Sequence, residues 1–247
     1  RVGRSTCSDG WVCFAGRGEE LLGVEDSDGL SGDGLHPNEL GHARIAQRLH
    51  PIVEADLIMG LYNRYVLPKL IDAACRGESN AQQREKVVPL AHGDVLEIGI
   101  GTGLNLSHYD SDRVTRVIGV DPSPRITRLA QEAADEAPFD VEFIGLPGEE
   151  IPLDDGSIDS VLMTYTLCSI PDTETALRQM ARVLKSGGTL VYCEHGAAPD
   201  ASVRRWQRRL EPVWGRLAGG CHLSRDIPRL LEQGGFVLDN SHEGYID

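Results

Sequence analysis

Nowhere in the 247 residues does an apolar run approach the roughly 18 residues that a membrane-spanning helix needs. The first residues also lack the charged-then-apolar pattern of an export signal, so a soluble, cytoplasmic protein is the expectation. Positive charge is scarce: 24 Lys and Arg stand against 38 Asp and Glu, for a net charge of −14. A general nucleic-acid binder neutralises phosphates with clustered cations, so that class is set aside and any basic patch must be local. Cysteine is thinly spread. Cys7, Cys13, Cys75, Cys168, Cys193 and Cys221 include no pair at the short Cys-x-x-Cys spacing of a zinc site. No structural metal is expected, and Cys7 and Cys13 read as two free thiols or, in an oxidising compartment, as a bridge. Internal repeats and low-complexity tracts are absent. A chain of this length can still bury a core without staples, as one large or two small domains.

What is present is a change of texture near Met59. Up to about residue 34 the chain is rich in Gly, Asp and Ser without periodicity, and Pro37 opens a helix-like run through Leu49. A loop followed by one helix is predicted there. From Met59, where a domain start is placed, Leu61, Tyr65, Leu67, Leu70 and Ile71 recur at helical spacing, and Ala81 to Leu90 predicts a second helix. Apolar strands and amphipathic helices then alternate as in parallel βαβ units. Strands are predicted near 94–98, 116–120, 140–144, 158–164 and 188–194, and helices near 124–136 and 173–184. Runs such as Val117-Ile118-Gly119-Val120 and Leu190-Val191-Tyr192-Cys193 are almost wholly apolar, as parallel strands covered on both faces should be. The fold class is therefore α/β, a Rossmann-like, doubly wound and mostly parallel sheet preceded by a loop-plus-helix segment. Ligands of such sheets bind at the carboxyl ends of the strands.

Val95-Leu96-Glu97-Ile98 reads as a buried strand running into Gly99, Gly101 and Gly103, after which Leu104 to Tyr109 can start a helix. Glycines let a backbone come close to a ligand. The nicotinamide fingerprint Gly-x-Gly-x-x-Gly/Ala fails in both registers, with Leu104 or Leu106 at the third position. Asp121 closes the next strand, 20 residues beyond Gly101. A carboxylate there can accept both hydroxyls of a ribose, or it can cap the helix after Pro122.

These residues resemble the class I S-adenosylmethionine (SAM)-dependent methyltransferases, whose first motif is an acidic residue followed by Gly-x-Gly-x-Gly. Further blocks follow in that family's order: Gly119-Val120-Asp121-Pro122-Ser123, Gly148-Glu149-Glu150-Ile151-Pro152-Leu153, Asp154 to Asp159, and Arg182 to Gly188. The resemblance implies SAM as cofactor, Glu97 near its methionine end, Gly99, Gly101 and Gly103 beneath it, and Asp121 on the ribose. Gly148 and Glu149 would flank the adenine, although Pro147 stands where a small polar or acidic residue is usual. Asn105, Pro122 and Thr164 complete the implied cofactor set.

Within the class, Met59 to Pro68, Leu167-Cys168-Ser169-Ile170-Pro171-Asp172, Glu194-His195-Gly196 and Gly219 to Asp226 resemble the methyltransferase-like thiol methyltransferase group. That group stands near the ubiquinone/menaquinone-biosynthesis and phospholipid enzymes. A small lipophilic acceptor is implied, a thiol first, with a quinol precursor or phospholipid next and a non-catalytic SAM-binding module as the rival. A thiol must react as thiolate. His195, just past the fifth strand, is the candidate base, or else it bonds backbone in a turn. Cys168, Trp206 and His222 are expected to line the acceptor pocket. Arg204, Arg205, Arg208, Arg209 and Arg216 accompany Val203, Trp206, Leu210, Val213, Trp214 and Leu217 on one predicted helix. It reads as a lid, as a peripheral membrane contact over 203–217, or as a packed helix with solvated arginines, with Pro212 kinking it or starting its second half.

Asp33-Gly34-Leu35-His36-Pro37-Asn38-Glu39-Leu40-Gly41-His42 is similar to the last block of the SGNH (Gly-Asp-Ser-Leu) hydrolases, in which Asp33 and His36 would be the acid and base of a triad. The nucleophile block of that family is not in the chain. Residues 1–58 are thus read as a hydrolase remnant or a linker, and 59–247 as the methyltransferase domain. Phe236 to Asn240 is predicted as a sixth strand, and the seventh strand of the class is expected to be missing.

Overall fold

The computed structural model of the chain describes residues 3–6, 12–15 and 59–245. The chain divides into two compact units, Arg1–Arg64 and Tyr65–Asp247. In the first, β1 (Gly3–Thr6) pairs antiparallel with β2 (Val12–Ala15). A short hairpin thus stands where a loop is predicted, because strands of four residues are too short to show a readable alternation in sequence. The helix predicted over 37–49 and the pair Asp33 and His36 lie outside the described residues.

Residues 59–61 are helical, Tyr62–Val66 form a π-helical turn, and α1 (Leu67–Cys75) and α2 (Glu78–Val87) follow. The second unit is then a five-stranded sheet: β3 (Gly93–Ile98), β4 (Val114–Val120), β5 (Asp140–Ile144), β6 (Ile158–Thr164) and β7 (Leu184–Cys193). Its order is β5-β4-β3-β6-β7 and every pairing is parallel. The order reverses around β3, so β3 and its neighbours carry the switch point where ligands of such sheets bind.

Alternation along the central strands feeds two separate cores. Leu96, Ile98, Ile118, Val120, Val161 and Met163 point to one face, where Leu177 and Met180 of α4 (Thr173–Val183) and Leu231 of α6 (Ile227–Gln233) cover them. Val95, Val117 and Leu162 point to the other, against Val88, Leu106 and Tyr109. Burial on both faces is why these strands read as continuous apolar runs. The remaining helices are α3 (Pro124–Asp135) and α5 (Ala201–Leu217).

Three local expectations are corrected. No α-helix starts at Leu104; the segment contracts into tighter turns, Leu106 N–H on Gly103 O and His108 N–H on Asn105 O, because the Asn105 side chain is held inward. Phe236 to Asn240 forms no strand. Its first N–H is spent capping α6 on Leu231 O (3.1 Å), while Phe236 and Leu238 pack on the core and Val237 stands out, a strand-like alternation without a ladder. Finally, α5 continues through Pro212 as a single helix, so no separate second half begins there. β7 also begins four residues early, its extra residues bulging around Asp159, whose Oδ1 takes the Lys185 ammonium at 2.7 Å.

Candidate cofactor and acceptor site

At the end of β3 the chain turns through Gly99 (φ +70°) and Gly101 (φ +58°), left-handed conformations that side chains resist. The two glycines are needed for different reasons. A Cβ on Gly99 would lie 2.3 Å from Thr166 Oγ1, whereas one on Gly101 would meet nothing nearer than Gly99 O at 3.8 Å. The first is imposed by packing between loops, and the second borders open space above the strand ends.

Asp121, buried at the end of β4, accepts from Gly101 N–H with Oδ2 (3.3 Å) and from Ser123 N–H with Oδ1 (2.8 Å). Each oxygen keeps a lone pair for another donor. It braces the turn into α3, whose N-cap is Ser123, and faces the glycine loop. Burial holds its carboxyl above the ordinary value, opposed by the two backbone donors.

Glu97, 1% exposed, receives Asn105 Nδ2 on Oε1 (2.8 Å) and Tyr109 O–H on Oε2 (2.7 Å). Asn105 also donates to Thr164 Oγ1 (2.9 Å), and its own oxygen accepts from buried Arg84 Nε (3.0 Å). Arg84 in turn holds Cys75 O (2.6 Å) and lies 5.5 Å above the Tyr165 ring. Burial pushes the Glu97 carboxyl up to about 7 against the pull of Tyr109 and Asn105. The structure thus brings Glu97, Asn105 and Thr164 together and adds Arg84 and Tyr109, which the sequence did not single out. Nothing separates Arg84 from its polar neighbours Gln83 and Glu85 in sequence. A further tie, Thr102 Oγ1 to Asp72 Oδ1 at 2.5 Å, joins the glycine loop to α1.

Pro122 is exposed beside Asp121, and Gly148 is buried so close to Ile98 that a Cβ would sit 3.2 Å from its Cγ2. Glu149 accepts the Asp172 N–H at 3.2 Å. A cavity of about 410 Å³ lined by Glu149, Ile151, Pro152 and Arg182 shares only Glu149 with the expected cofactor set.

A second constellation forms at the carboxyl ends of β6 and β7. Tyr165 adopts φ +55°, the sole positive value outside glycine among the described residues. Glu194 Oε1 accepts from Thr166 and Leu167 N–H (2.7 and 2.9 Å), while its buried Oε2 has no partner. Burial lifts this carboxyl to about 7 as well. His195 Nε2 lies 3.3 Å from Cys221 Sγ, which also receives Trp214 Nε1–H at 3.2 Å. Cys168 completes the group: its sulfur, the His195 nitrogen and the Cys221 sulfur all lie within 4.8 Å of one another. Hydrogen bonding from Cys168, then His195 and Trp214, makes Cys221 the more acidic thiol, and the same pairing pushes Cys168 far up. His195 is raised, first by its bond to Cys221. Its Nε2 therefore faces an internal thiol, a pairing with no signal in a sequence where the two residues stand 26 apart.

His222 N–H donates to Cys168 O (2.9 Å), and its Nδ1 pairs with Glu211 Oε1 (2.8 Å), so it braces the same loop. Trp206 is 61% exposed on α5, with the Arg209 guanidinium 5.4 Å above its ring. The structure pairs Trp206 with that surface arginine and leaves Cys168, His195 and Cys221 to one another.

A parallel sheet of this order, with a glycine turn after its central strand and an acidic residue closing the next, has the architecture of the Rossmann-like methyltransferases. The fold is shared with a SAM-dependent methyltransferase of Thermotoga maritima, at a TM-score of 0.53 and 22% identity over 72% of this chain and 81% of that one. The family profile described as "Methyltransferase domain" matches residues 96–192. The chain is 38% identical to thiol S-methyltransferase TMT1B of Rattus norvegicus over 58% of its own length and 59% of the relative's. With thiol S-methyltransferase TMT1A of Homo sapiens it shares 34% identity over 66% of this chain and 68% of the relative. It belongs to the class I SAM-dependent methyltransferases, a family in which SAM is the methyl donor. The matched part spans about three fifths of the rat relative's length.

Proposed function

We propose that this chain transfers the methyl group of SAM to a small lipophilic thiol. The similarity to the thiol S-methyltransferases carries the reading. Bound SAM would supply a methyl group already activated by its sulfonium, leaving the protein to orient the partners and exclude water. Orientation alone can provide about 7–11 kcal/mol. The residues fit that cofactor. The turn of Gly99, Gly101 and Gly103 would pass beneath it, open at Gly101 and packed at Gly103 against Leu106 and Ala133. Asp121 would accept the ribose hydroxyls with its spare lone pairs, and Gly148 and Glu149 would flank the adenine beside Pro122. Glu97, Asn105 and Thr164 would act at the methionine end, as a buried network that holds the loop. On the acceptor side the reading places Cys168, His195 and His222 at the ends of β6 and β7.

The experiment is methyl transfer from radiolabelled SAM to a panel of alkyl thiols, quinols and phospholipids. Label in thioether products is expected. Label only in quinols or phospholipids would replace the acceptor class, and label in none of them would leave a SAM-binding module.

A lipophilic acceptor suits a chain that touches lipid, and α5 supports contact with an anionic phospholipid surface. None of its residues is buried, and Trp206, Leu210, Val213 and Trp214 stand 45–61% exposed among its arginines. In a chain of net charge −14 this is a local concentration of positive charge beside apolar surface. No helix among the described residues is long and apolar enough to cross a membrane.

A further inference from the structure

The cluster at the ends of β6 and β7 has a composition that methyl transfer does not require. Cys168 follows β6, His195 follows β7 and Cys221 follows α5, so three loops at the ligand-binding edge each contribute one soft or borderline donor. In tetrahedral zinc sites, metal–sulfur and metal–nitrogen lengths of about 2.3 and 2.0–2.1 Å set donor atoms roughly 3.5–3.8 Å apart. The 3.3 Å between His195 Nε2 and Cys221 Sγ, and the 4.8 Å limit on the whole group, are within a small adjustment of that geometry.

The surroundings suit a cation with thiolate ligands. Trp214 Nε1–H already points at Cys221 Sγ, the kind of outer hydrogen bond that tunes a metal-bound sulfur. His222 N–H holds Cys168 O and so fixes the loop carrying that ligand. One residue before His195, the buried Oε2 of Glu194 has no partner, which a neighbouring positive charge would compensate. Arg225, donating to Leu167 O, places positive charge next to Cys168 that favours its thiolate form.

We propose that Cys168, His195 and Cys221 form a three-ligand site for a borderline-soft divalent metal, zinc by its donor set, whose open fourth position takes the thiol acceptor. Three protein ligands with one position left open is the arrangement of catalytic rather than structural zinc. On binding, the group of Cys168, His195 and Cys221 releases two protons to solvent, leaving two thiolates and a neutral imidazole to balance the metal's charge. An acceptor thiol entering the fourth position gives up its proton to solvent in the same way, and is held as thiolate. The acceptor half of this proposal rests on the thiol reading above, whereas the metal half does not.

The sequence spacing offers no hint of such a site, since its ligands lie in three separate loops. The test uses the full chain under a thiol-free reductant, titrated with cobalt(II) as the spectroscopic probe and then with zinc in competition. Sulfur-to-cobalt charge transfer and tetrahedral d–d bands are expected, saturating at stoichiometric metal and abolished by zinc. Cys221→Ser and His195→Gln should each weaken binding by more than about 100-fold, beyond the roughly 10- to 100-fold cost of losing an outer partner. Cys75→Ser, outside the cluster, should bind as the parent does. Far-ultraviolet circular dichroism and SAM affinity establish that the variants are folded. Absent charge-transfer bands in the parent chain, or equal affinity in the parent and folded Cys221→Ser, overturn the site. Added ethanethiol should shift the charge-transfer band; a saturated cobalt spectrum that ethanethiol does not move overturns the open acceptor position. Because no step needs SAM, a failed methyl-transfer screen leaves the metal result standing.

Discussion

At the scale of single residues, Asp121 carries the heaviest expectation. Its two oxygens already hold Gly101 and Ser123 N–H, so replacing it removes a loop brace together with the proposed ribose acceptor. Asp121→Ala should weaken SAM binding by about 1.5–3 kcal/mol, the range for hydrogen bonds to a charged group. Calorimetry showing unchanged affinity would sink the ribose assignment. That residue was legible because strand, turn and acidic strand-end follow one another within a short stretch of chain. Arg84 and Cys221 were not: each acquires its role from a partner in a different loop, Asn105 for one and His195 for the other. Sequence spacing carries no trace of such meetings.

Among the elements, those with uninterrupted apolar runs were the easiest to read. β6 falls on its predicted residues because both its alternation sets are buried and its run contains no breaker, and the edge strand β5 does so through a plain alternation, with Asp140 and Glu142 exposed and Val141 and Phe143 turned inward. Phe236 to Asn240 shows the opposite case. Its pattern has the right period, but a strand also needs a neighbour to accept its hydrogen bonds, and the preceding helix takes the first of them. Helix α5 was read as amphipathic, which it is, yet whether that face is covered is a property of the fold. With Trp206 and Trp214 both substantially exposed, Trp206→Ala combined with Leu210→Ser should reduce sedimentation with phosphatidylserine-containing vesicles several-fold while leaving SAM affinity unchanged. Equal sedimentation of parent and variant would remove the lipid-surface reading.

For the whole molecule, the two carboxyls lifted to about 7 set the shape of its stability against pH. Glu97 has an ordinary value of 4.5, so the folded chain keeps a proton there that the unfolded chain releases between about pH 4.5 and 7. Stability from this source is complete below that window and is lost as pH rises through it, by an amount on the order of 3 kcal/mol. Glu194 adds a limb of the same sign. Chemical denaturation across pH 4.5 to 7 should therefore show falling stability, and Glu97→Gln, whose neutral amide can still meet Asn105 and Tyr109, should flatten part of the fall. A variant with an undiminished slope would mean that Glu97 stays ionised in the folded chain. The parallel order of the sheet follows from the alternation of strands and helices, whereas the buried polar links that steady its ligand edge had to be seen in three dimensions.

Tyr165 shows how such an edge is maintained. Its left-handed backbone costs on the order of 1–3 kcal/mol, a conformation glycine would adopt freely. Glycine, however, would have no ring to lie beneath Arg84 and no hydroxyl to meet Cys193. Domains have a total margin of only about 5–15 kcal/mol, so part of this one's cohesion is committed to holding a single aromatic side chain in a posture its own backbone opposes.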